Sequence, residues 1–169
     1  MDWKRSSVMA VALIAILGSA NSLLAQAPDA TLATEALSPP TRALLVQEMQ
    51  ALAEAMGRVH RAMVMGEHRT VATEAKGIHE SFVLAQELSE TQRQEIQTAL
   101  PPAFLSADQA FHELSAKLVD AAIQEDVRLE RLWFDELTRA CLGCHQTFAA
   151  KRFLGLAGAS DRKQGAESG

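Results

Sequence analysis

Apolar residues recur along this chain in steps of three and four, the period of a single helix face, in four separate stretches. In the first, Leu45, Met49, Leu52, Met56, Val59 and Met63 alternate the two spacings, a seam like that of a coiled coil. This predicts a helix capped by Thr41, running to about Met65 and stopped by Gly66. In the second, Val71, Ala75, Ile78, Phe82 and Ala85 mark a stripe from Glu67 to about Leu88. Ser89-Glu90-Thr91-Gln92 has the form of a capping box and should open a short helical segment to about Leu100. Pro101-Pro102 ends it. A third long helix starts near Ala103, with Phe104, Phe111, Leu114, Leu118 and Ala122 inward, and breaks at Gln124 to Asp126. A fourth carries Leu129, Leu132, Trp133 and Leu137 and ends around Phe153. Strand-like alternation is missing, so the expected fold is all-α, an antiparallel four-helix bundle with short joints.

Composition agrees with that pattern. Ala, Leu, Glu and Gln are abundant, Tyr is absent, and 169 residues suit one domain. The N-terminus adds a compartment. Lys4 and Arg5 precede a ten-residue apolar run from Val8 to Leu17, and Ala25-Gln26-Ala27 resembles a cleavage site. Residues 1–27 are therefore expected to be a secretory signal peptide, cut after Ala25 or Ala27. The run is too short for a membrane span, which needs about 20 apolar residues, so no stable membrane insertion is expected. Residues 28–40 form an extended lead-in, residues 41–154 the helical domain, and residues 155–169 a Gly-, Ser- and charge-rich disordered tail. Formal net charge is −5 for the whole chain, and close to −6 without the signal. That acidity argues against nucleic acid and permits docking to a basic partner.

The chemistry is concentrated in Cys141-Leu142-Gly143-Cys144-His145 on the fourth helix. Cys-x-x-Cys-His is the attachment signature of a covalent haem c: two thiols reach two vinyl groups and the imidazole reaches the iron. On a helix, positions i, i+3 and i+4 share one face. Other uses of the pair are weaker matches. A thioredoxin-like dithiol belongs near a βαβ pattern, a structural zinc site needs four ligands, and a plain disulfide has no use for the histidine. The chain's only two cysteines both lie in this motif. No phosphate-cradling Gly-rich loop or nucleophile elbow occurs, so an enzyme is not expected.

One haem per chain leaves a sixth iron position to fill. Met49 lies eight residues into the first helix, about 12 Å from its start, a depth that matches His145 on an antiparallel neighbour. It is the leading candidate, and Met56, about 10 Å deeper, is assigned to packing. An open sixth position is the alternative. His112 and His79 reach similar depth but flank their apolar stripes, His112 as a boundary residue or propionate contact. His60 and His68 are expected to be solvated. A thioether ligand suits an electron carrier, whereas an open pocket admits NO or CO.

Taken together, these residues resemble the class II c-type cytochromes, relatives of cytochrome c′. The resemblance covers about Thr41 to Phe153. It rests on the haem motif's place on the last helix, on Met63-Val64-Met65-Gly66-Glu67 closing the first helix, and on Leu100-Pro101-Pro102-Ala103-Phe104 followed by Phe111-His112-Glu113. It implies thioether bonds at Cys141 and Cys144, iron ligation by His145, and, as in low-spin members, by Met49. It also implies a periplasmic electron carrier with redox partner proteins, and in many members a homodimer through the first two helices. Members often carry a basic residue soon after the haem histidine. Here Ala149 and Ala150 precede Lys151 and Arg152. The expectation is a periplasmic monohaem cytochrome with His/Met ligation. The alternatives are a five-coordinate, cytochrome c′-like gas binder and a haem-free helical module using its thiols for redox or metal chemistry.

Overall fold

The computed structural model describes residues 32–80 and 88–156, and every described element is helical. The signal segment, Phe82 and Ala85, and most of the expected tail lie outside them. In order come a 3-10 turn at Ala33–Ala36, α1 (Pro39–Met65), α2 (His68–Glu80), α3 (Glu90–Ala99), α4 (Pro102–Ile123), α5 (Val127–Phe148) and a 3-10 turn at Leu154–Leu156. None of the described helices is long and apolar enough to cross a membrane.

Local chemistry explains the boundaries. Helix α1 begins at Pro39, before Thr41, because proline suits the first helical turn, where an amide donor would go unused. Thr41 is instead buried beside Ser38 and Glu95. Gly66 takes the left-handed conformation (φ 69°). Its amide and that of Glu67 then close the carbonyls of Met63 and Ala62, a Schellman ending. The break between α4 and α5 has the same bonds on a non-glycine: Glu125 has φ 54°, and Asp126 N–H reaches Ala121 O at 3.1 Å. Asp126 then caps α5, accepting from the amides of Arg128 and Leu129. Ser89 and Gln92 form the expected capping box of α3.

α2 packs against α1 and α4, α4 against α5, and α1 meets α5 only sparsely. The core runs through Leu52, Val59, Val71, Ala75, Ile78, Phe111, Leu118 and Leu137. Along α1 the buried face is Leu45, Glu48, Leu52, Ala55, Val59 and Ala62. Met49, Met56 and Met63 are only partly buried, at its flank. Small Ala55 and Ala62 occupy the core because they let α2 approach closely, which displaces the methionine stripe toward the weak α1–α5 seam. Leu132, expected inside, is 45% exposed.

A second cluster, Leu37, Leu45, Leu88, Leu100 and Phe104, closes the bundle end that carries Cys144 and Phe148. The lead-in contributes to it through its 3-10 turn and buried Leu37. Arg42 ties that segment down by donating to the carbonyls of Thr34, Glu35 and Leu37. Glu95 of α3 accepts from Ser38 N–H, Ser38 Oγ and Thr41 Oγ1, which fastens α3 to the start of α1.

Candidate functional site

The sparse α1–α5 contact leaves a cleft of about 480 Å³ walled by α1, α4 and α5. Helix α5 is continuous through the motif, so Cys141, Cys144 and His145 all line this cleft. Opposite them α1 presents Met49 and Met56, and Leu52 and Phe111 add apolar wall. Both cysteines are thiols, not joined to each other.

Burial governs the electrostatics here. It raises the Cys141 thiol above its ordinary range. It raises Cys144 further, to about 11, with the charges of Asp108 and Cys141 adding to the effect. Both thiols are therefore protonated near neutral pH. Burial holds the His145 imidazole below its usual value, which favours the neutral, ligating form. On the α4 wall, burial raises Asp108, and His112 pulls the other way. Behind it, Glu48 is 3% exposed, and burial, then Asp108, push it up to about 8.

The structure places the sequence candidates unevenly. Cys141, Cys144, His145 and Met49 face one cleft, as their register predicts. Met56, assigned to packing, lines it too. His112 is not a boundary residue: it is 4% exposed, and its Nδ1–H donates to Ile78 O at 2.8 Å. His79 donates to His112 O at 2.9 Å, so the two histidines bridge α2 and α4. His60, expected only in solvent, is exposed yet lines the cleft and stacks on Phe134 at 5.8 Å. His68 is drawn inward by Glu130.

Asp108 and Glu48 were missed because a carboxylate at a core register position ordinarily argues against burial. The available signal was spacing. Glu48 falls three after Leu45 and four before Leu52, and Asp108 four after Phe104 and three before Phe111.

The donor set suits a haem. Two protonated thiols and a neutral imidazole share one helix face, an apolar wall stands opposite, and the volume lies within the roughly 300–1,000 Å³ of cofactor sites. Among the described residues no group of three or more His, Cys, Asp and Glu side chains is arranged to hold a bare metal ion. No protein-family model, no curated protein and no solved structure matches this chain.

Proposed function

We propose that this chain is an exported monohaem c-type cytochrome of the class II type, carrying single electrons between redox partner proteins. The observation that carries the reading is the convergence of Cys141, Cys144 and His145 on an apolar cleft with Met49 on its far wall. Cys141 and Cys144 would add as S–H across two vinyl groups, with no atom lost, and His145 would bind iron. Bound there, the haem supplies a one-electron Fe(III)/Fe(II) couple.

The chain's own residues tune that couple. Met49 would offer a soft thioether to the iron, a ligand that favours the ferrous state. Phe111, Leu52 and Phe134 line the cleft with apolar surface that would keep water from a bound haem, and a dry surround favours the less charged redox state. The nearby acids work differently: each carboxyl that is ionised favours the ferric state, and burial weakens that influence by keeping Glu48 protonated near neutral pH.

Absorption spectra of the oxidised and reduced protein test the reading. A low-spin ferrous spectrum and a ferric sulfur-to-iron band are expected. A five-coordinate, high-spin spectrum with ready CO binding would replace the electron-carrier reading with the gas-binding one.

A further inference from the structure

The segment after α5 makes a contact that the cleft does not account for. The expected helix to Phe153 stops at Phe148, and the chain turns back through Ala149–Arg152. The amides of Arg152 and Phe153 both donate to Ala149 O, and Gln146 Nε2 holds the next turn by donating to Leu156 O at 3.0 Å. This brings the Phe153 ring onto the His145 ring, with centroids 4.1 Å apart and planes 7° from parallel. Lys151 and Arg152, the first basic residues after the motif, are exposed, and the ring that covers the imidazole is a neutral one.

The geometry of the contact matters. A face-to-face stack covers the plane of the imidazole and leaves its edge, where both nitrogens lie, open to a metal and to a hydrogen-bond acceptor. The torsion that turns an imidazole about its Cβ–Cγ bond is broad and soft. A parallel ring fastened at both ends of its turn narrows it.

We propose that Phe153 is a positioning residue for His145, setting the rotation of the ligand plane about the iron–nitrogen axis. This rests on the haem reading above. The rotation decides which iron orbital meets the imidazole π system, and so how unpaired spin spreads over the ferric macrocycle.

The test uses the full chain, produced where covalent haem is attached, with haem staining of the denatured protein first. Phe153→Leu keeps apolar bulk without a ring, and Phe153→Tyr keeps the ring. With Phe153→Leu, covalent haem should remain, while the ferric electron-spin-resonance anisotropy and the spread of the shifted haem-methyl resonances change. Phe153→Tyr should restore both. Unchanged signals in Phe153→Leu overturn the positioning role. If that variant does not fold, cross-relaxation between the Phe153 and His145 rings in the reduced parent protein decides: it should be present, and its absence overturns the contact. A parent that does not stain overturns the haem reading itself, a result seen before any variant is compared.

Discussion

His68 Nδ1 donates a 2.7 Å hydrogen bond to Glu130 Oε1, and Glu130 is only 1% exposed. The bond joins the first residue of α2 to the first turn of α5, at the bundle end opposite the cysteines.

Removing one partner strands the other. His68→Ala leaves a buried carboxylate without its donor, and should lower unfolding free energy by about 3–5 kcal/mol. Adding Glu130→Leu should recover most of that loss, because an apolar side chain there has nothing to leave unsatisfied. Urea denaturation of the wild type, the single and the double variant measures both effects. A double variant no better than the single would mean that the carboxylate is not what the histidine serves.

Glu48 makes stability depend on pH. Its folded-state pKa is about 8 against an ordinary 4.5, so the folded chain holds this proton more tightly than the unfolded chain does. Below about pH 4.5 both states are protonated and the residue carries no ionisation penalty. The penalty grows as pH rises through that interval and is complete above about 8, on the order of a few kcal/mol. Glu48→Gln should flatten the fall in stability between about pH 5 and 9, read by denaturation at each pH.

Four stretches of helical period located the four long helices and the break at Gln124 to Asp126 because amphipathic spacing is a local property. The shared face of Cys141, Cys144 and His145 was legible for the same reason. What the pattern could not give was which flank of α1 meets which neighbour. Met49, Met56 and Met63 outrank Ala55 and Ala62 in apolar character, yet the alanines pack inside because closeness to α2 outweighs side-chain size. Glu130 was hidden because its partner, His68, lies far away along the chain, and Glu48 and Asp108 because a carboxylate on an apolar stripe ordinarily argues against burial. The fold back of Phe153 onto His145 was also illegible, since Ala149 and Ala150 are good helix formers and a tertiary ring contact overrides that preference.

Glu125 holds a left-handed conformation that glycine adopts without penalty. Glu125→Gly should therefore stabilise the protein, by roughly 0.5–1 kcal/mol once the greater freedom of glycine in the unfolded chain is offset. Ala replacement at the same position should bring no such gain. Thermal unfolding of the two variants checks the contrast.

Met49 and Met56 both line the cleft, but only Met49 also packs against the end cluster beside Cys144. Met49→Ala should abolish the ferric sulfur-to-iron band and lower the reduction potential, while Met56→Ala leaves the band in place. The reverse outcome would move the axial thioether one step of seven residues along α1.

The most direct measurement is the intact mass of the protein exported from a bacterium that attaches haem. A gain of one haem over the mature polypeptide is expected, retained after acid-acetone extraction and lost when Cys141 and Cys144 are both replaced by Ala. A polypeptide mass with no haem added, or a pigment that acid-acetone removes, would contradict it.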